Sequence, residues 1–142
     1  MKLVKESLNE FGKGVDPLKT MELGYRASII KFFEDLNIKE ENYTIEETGE
    51  ILYKMGLDLT FNKNTIPNNL TVKGNVHLSK TNISKLPENL TIWDSLFILY
   101  NTKLTELPDS LSVGGKIYLD KSMHKLVNWM EKTKFKDKWE LW

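Results

Sequence analysis

The sequence predicts an α+β fold: an N-terminal helix and hairpin, then a β-solenoid of three to four short coils, then a C-terminal helical cap. Three observations predict it. A unit of about 20 residues recurs through the second half of the chain. Inside each unit apolar residues alternate with period two, as in a half-buried strand. Both flanks carry apolar residues at helical spacing.

The elements follow in order. Asp16 before Pro17 forms a helix start, with aspartate as N-cap and proline at the first helical position. Gly24 interrupts the first turns, and YRASIIKFFEDLNI then sets Ile29, Ile30, Phe33 and Leu36 on one face. In NYTIEETGEILYKMGLDL, Thr44 with Glu47 offers a capping box for a helix ending at Gly56. Against that helix, Ile51, Tyr53 and Met55 alternate, and Gly49 weakens a helix interior. A β-hairpin is the reading carried forward.

The repeats run IPNNLTVKGNVHLSKTNISK from Ile66, LPENLTIWDSLFILYNTKLTE from Leu86 and LPDSLSVGGKIYLDKS from Leu107. Pro67, Pro87 and Pro108 align, followed by Leu70, Leu90 and Leu111, then Val72, Ile92 and Val113. The strand pairs are Val76/Leu78, Phe97/Leu99 and Ile117/Leu119, which puts one extra residue of the second copy between Ile92 and Phe97. Thr81, Thr102 and Ser122 then align as a hydroxyl ladder. Leu57 and Leu59 mark a truncated earlier copy. One unit cannot bury its own apolar face, so neighbours must stack. After the repeats, Ser122 caps a helix from Met123 to about Lys132 with Leu126, Met130 and Trp129 inward. The tail ends in Trp139, Leu141 and Trp142, either packed on the body or exposed as a surface for self-association.

These residues resemble leucine-rich repeats of the short, LP-containing kind found in bacterial effectors. They are more similar still to the LP-x-NLTV-x-G-x-L-x-L-x-x-T-x-I repeats of phage and gut-bacterial proteins. The resemblance spans Leu57 to Ser122 and lacks the regular asparagine ladder of the standard motif. It implies a leucine-rich-repeat-like solenoid that binds a protein. A second resemblance lies in the first ten residues, MKLVKESLNE. They are similar to the leader of capsid-packaged proteins in T-even-type phages, which a prohead protease cuts after the glutamate of Leu-x-Glu. Carried onto Leu8 and Glu10, it implies a phage-encoded protein packaged in the virion and cleaved after Glu10. The alternative is an ordinary amphipathic helix with Leu3, Val4, Leu8 and Phe11 on one face.

The expected organisation is a leader or flexible segment over 1–14, a helical and hairpin cap over 15–56, repeats over 57–122, and a helix with an aromatic tail over 123–142.

Composition narrows the function. Twenty basic and twenty acidic side chains cancel, which removes the net positive field that nucleic-acid binding draws on. There is no cysteine, and no apolar run long enough to cross a membrane or serve as a secretory h-region. The expected location is the host cytoplasm or the virion interior. The N-x-S/T sequons at Asn42, Asn69, Asn82 and Asn89 then read as turn residues rather than glycan acceptors. No P-loop, G-x-S-x-G, H-E-x-x-H or Rossmann fingerprint is present. His77 and His124 read as surface residues rather than ligands, so no enzyme, metal or cofactor is expected.

A surface is the remaining candidate. The outward strand positions are Asp58, His77, Ile98 and Tyr118, with Ser79, Tyr100 and Asp120 in the next column. Ile98, Tyr100 and Tyr118 are an apolar departure from a solvent face, and Trp93 in the adjoining turn extends it. The expected partner is a host or virion protein, with homo-oligomerisation as the alternative. Packing of this face on the N-terminal helix is the competing structural explanation.

Overall fold

The computed structural model describes residues 17–60, 65–101 and 103–142, with side chains from 23 onward. Leu8, Glu10, Asp16 and Thr102 lie outside the described residues. The chain forms two compact units, one ending at Ile38 and one running from Lys39 to Trp142.

The described part of the first unit is helix α1, Pro17–Asp35, which opens on proline as expected and runs through Gly24 without a break. Ile29, Phe32 and Phe33 are buried, whereas Ile30 is exposed. The stripe is therefore narrower than the sequence suggested. The helix stops at Asn37, whose φ of 59° is left-handed. There the Asn37 N–H donates to Glu34 O and the Ile38 N–H to Phe33 O, a Schellman closure.

The second unit opens on a 3-10 turn, Glu40–Asn42, and the hairpin of β1 (Tyr43–Ile45) with β2 (Ile51–Tyr53), paired antiparallel. Strands β3 (Leu57–Asp58), β4 (Leu70–Val72), β5 (Val76–His77), β6 (Thr91–Ile92), β7 (Leu96–Phe97), β8 (Ser112–Val113) and β9 (Ile117–Leu119) follow. Helix α2 (His124–Met130) and β10 (Trp139–Leu141) complete it. The strands alternate between two sheets, ordered β1-β2-β4-β6-β8 and β10-β9-β7-β5-β3, with every pair but β1–β2 parallel.

This pairing corrects the expected fold class. The second unit is α/β in character, with two mostly parallel five-stranded sheets, not α+β with a leucine-rich-repeat-like solenoid. A leucine-rich repeat gives one strand to a single curved sheet. Here each repeat gives one strand to each of two sheets of equal size. Period-two alternation reveals a strand but is silent on the sheet it joins and on its direction.

The core fills the space inward of both sheets. Leu57, Val76, Leu96 and Ile117 form one buried column, and Leu59, Leu78, Ile98 and Leu119 the next. From the first sheet come Ile51 and Leu70, then Tyr53, Val72, Ile92 and Val113. The expected alignment of the second copy is corrected here: Leu96 and Ile98 point inward, not Phe97 and Leu99. The slip is one residue, which in a strand exchanges the two faces. The extra residue lies further on, between Asn101 and Leu104, because Thr81 meets Asn101 rather than Thr102: Asn101 Nδ2 donates to Thr81 Oγ1 at 3.0 Å.

Turns hold the strands in step. The corner between the sheets is tight: a Cβ on Gly74 would lie 2.8 Å from Gly56 N, and one on Gly114 2.2 Å from Trp93 O. Along the same corner Asn75 Oδ1 accepts from the Ser95 N–H at 2.8 Å, and Ser95 Oγ from the Lys116 N–H at 3.1 Å. Asn69 and Asn89 sit at φ 63° and 57°, the left-handed turn that the Asn-Leu-Thr signal marks.

The C-terminal cap also differs in detail. Asp120, not Ser122, is the capping side chain: its carboxylate accepts from the Ser122 N–H at 2.7 Å and from the Ser122 hydroxyl. Leu126 and Met130 are buried on α2, and Trp129 is half-buried. Beyond α2, Lys138 Nζ donates to Val113 O at 2.6 Å and Lys134 Nζ to Asp109 O, covering the outer edge of β8.

Candidate interaction face on the second sheet

Parallel stacking in register repeats one outward position every strand. On the second sheet that position holds Asp58, His77, Phe97, Tyr118 and Glu140, from β3 to β10. Neighbouring strands lie about 4.8 Å apart, and planar rings at such a spacing stack. The His77 and Phe97 ring centroids are 4.5 Å apart at an interplanar angle of 4°. Those of Phe97 and Tyr118 are 4.8 Å apart at 17°.

Trp142 completes the face. Its N–H donates to Leu119 O at 2.7 Å, which turns the side chain outward beside the stack. The indole lies 5.5 Å from Phe97 at 86° and 5.2 Å from Tyr118 at 77°. Phe97 and Tyr118 each cover a face of the other, and the indole stands near-perpendicular to both. Trp142 is 73% exposed.

This arrangement has a chemical consequence. The faces of Phe97 are covered on both sides, so the ladder presents ring edges and an exposed indole rather than a row of flat platforms. Carboxylates bracket it. At one end Asp58 Oδ1 accepts from the Thr60 N–H at 3.0 Å. That bond, with one from the Thr60 hydroxyl, holds the Asp58 carboxyl below the usual carboxylate range, against an opposing effect of burial and with a lesser lowering by His77. At the other end Glu140 lies 3.6 Å from Lys116 Nζ, both side chains well exposed.

Of the residues expected on this face, Asp58, His77 and Tyr118 are brought together. Ile98 is not; it is 0% exposed in the core. Tyr100 lies in the following turn at φ 60°, exposed, with Lys80 Nζ 6.0 Å from its ring centroid and its N–H donating to Asp120. Asp120 is buried at that bond instead of standing in an outward column. Trp93 is exposed at the corner between the sheets, with Lys73 Nζ 4.9 Å over its ring. His124 is exposed on α2. Phe97 and Glu140 were missed, the first through the register slip and the second because the tail has no repeat spacing; Trp142 was expected as packed or self-associating, not as part of this face.

Among the described residues no group of three His, Asp or Glu side chains is placed to hold a metal ion, and no helix is long and apolar enough to cross a membrane. No protein-family model, curated protein or solved structure matches the chain.

Proposed function

We propose that this is a non-enzymatic protein-binding repeat protein, and that it binds through the outward face of the second sheet. The observation that carries the reading is the His77–Phe97–Tyr118 stack with Trp142 laid across it. Solvent faces of strands are ordinarily polar, and aromatic residues with a polar rim are what protein interfaces concentrate. The covered faces of Phe97 leave no row of flat platforms for sugars or bases, and the neutral net charge supplies no pull on phosphates. Carboxylates at both ends favour a partner that presents apolar side chains beside a basic one.

Site-specific photo-cross-linking in host cells tests this. A photoreactive phenylalanine at Tyr118 should yield a discrete protein adduct, and the same probe at Thr91 on the first sheet should not. Phe97→Ser should abolish the Tyr118 adduct. Equal adducts from both sheets, or an adduct indifferent to Phe97→Ser, would refute the assignment.

The proposal that the protein is phage-encoded and packaged rests on the resemblance of MKLVKESLNE to a capsid-packaging leader, with the phage-like repeats beside it. Intact-mass measurement on virion-derived protein should show a chain beginning at Phe11, and Glu10→Ala should leave it uncut. A full-length species in mature capsids would end that reading.

A further inference from the structure

We infer that the outer edge of β10 is a docking edge for an extended segment of the partner, a strand that reads apolar–basic–apolar and extends the second sheet. The inference rests on the protein-binding reading above and names the mode and chemistry of binding.

The backbone supplies the first observation. Lys138 O accepts from the Ile117 N–H at 2.8 Å, and the Trp142 N–H donates to Leu119 O at 2.7 Å. Bonding direction alternates along a parallel strand, so Trp139 and Leu141 aim their N–H and C=O groups away from β9. Among the described residues nothing bonds those groups. An open edge of this kind is a template for strand addition.

The core supplies the second. Leu141 continues the inward column of Leu59, Leu78, Ile98 and Leu119, each 1% exposed or less, yet Leu141 is 51% exposed. The column ends without its next neighbour. The end of the first sheet is treated differently: there Lys138 and Lys134 occupy the carbonyls beside β8. Charged side chains, lysine above all, are how proteins discourage strand addition at an edge; β10 carries no lysine, and its one charge is Glu140.

Charge selects the occupant. A second copy stacked head to tail would set Glu140 against Asp58, and two copies paired about a two-fold at Glu140 would set glutamate against glutamate. Both oppose like charges across adjacent strands, which is unfavourable. A lysine or arginine there meets the Glu140 carboxylate instead, and its cation lies diagonal to the exposed Trp142. The Lys116–Glu140 pair is exposed and yields readily to such a competitor. Apolar residues on either side of the basic one then cover Leu141 and Trp139.

The test uses the full chain and two blocked, fluorescein-labelled pentapeptides, Ser-Val-Lys-Leu-Ser and Ser-Val-Glu-Leu-Ser, titrated by fluorescence anisotropy. The lysine peptide should bind about five-fold more tightly than the glutamate peptide. Glu140→Lys, a surface change that leaves the core intact, should reverse that order. Thr91→Ala, on the first sheet, should leave the order unchanged. Equal affinities, or an order insensitive to Glu140→Lys, would overturn the inference. So would a dimer in sedimentation that Leu141→Pro dissociates, because the edge would then belong to a second copy. Failure here with the Tyr118 adduct still sensitive to Phe97→Ser would remove the docking edge and leave the aromatic face standing.

Discussion

The two sheets of the second unit are built by the same repeats, yet they show solvent different chemistry. Outward positions on the first sheet are Leu52, Thr71, Thr91 and Ser112; on the second they are Asp58, His77, Phe97, Tyr118 and Glu140. Inward positions are alike in both, aliphatic apart from Tyr43, Tyr53 and the half-buried Trp139. The fold thus constrains one face of each sheet and leaves the other free. Small hydroxyl residues are what that freedom produces when only solubility and strand propensity act. A stacked aromatic ladder, with an indole held against it by an added strand, goes beyond what the fold requires.

The largest test of this comparison concerns which face is which. Ile98→Ala should lower stability by about 2–5 kcal/mol, because the side chain is fully buried between neighbours. Leu99→Ala, half-exposed one residue on, should cost about 1 kcal/mol or less. Urea titration measures both, and equal costs would break the inward and outward assignment in and just after β7. Next come the corners. Gly114→Ala drives a methyl group into the Trp93 carbonyl and should cost about 1–3 kcal/mol. Gly24→Ala meets nothing within 4 Å inside α1 and should stabilise by about 0.5–1 kcal/mol.

The sheets themselves are compared by Phe97→Ala and Thr91→Ala. Losing both stacked neighbours should cost about 1–3 kcal/mol and flatten the near-ultraviolet circular dichroism of the ladder. The threonine change should stay within about 0.5 kcal/mol. The smallest effect is in acid. Asp58 has a lowered folded-state pKa, so its contribution is complete above the usual carboxylate range, about 4. It is lost as pH falls through the lower folded value. Asp58→Asn should therefore make the loss of stability between pH 5 and pH 3 shallower. The equivalent position of the first sheet, Leu52, has nothing to titrate. An unchanged acid profile would remove the Thr60 bond as its cause.

What was legible follows from the same physics. Val76/Leu78 and Ile117/Leu119 alternate with polar or aromatic residues, so their phase is plain. Leu96-Phe97-Ile98-Leu99 is apolar throughout, and alternation cannot choose between its two faces. The chain still held an answer: Ile92 to Leu96 matches the Val72 to Val76 and Val113 to Ile117 steps across the tight corner. Sheet membership was out of reach, since strand period is blind to the partner strand. The pairing of β10 was likewise illegible, because WELW carries no turn or proline in common with the repeats.

The two turns of each repeat differ in how they tolerate length. The corner from first to second sheet is the same length in all three copies and is closed by backbone contact at Gly74 and Gly114. The return passage is not: Leu78 to Leu90 is one residue longer than Leu59 to Leu70, and Ile98 to Leu111 one longer again. Strand phase survives these additions because they fall outside the paired residues. The return side is thus the place to graft foreign sequence. Epitopes inserted after Ile83 and after Leu104 would be displayed side by side at the strand spacing, with the aromatic ladder left intact as an internal control.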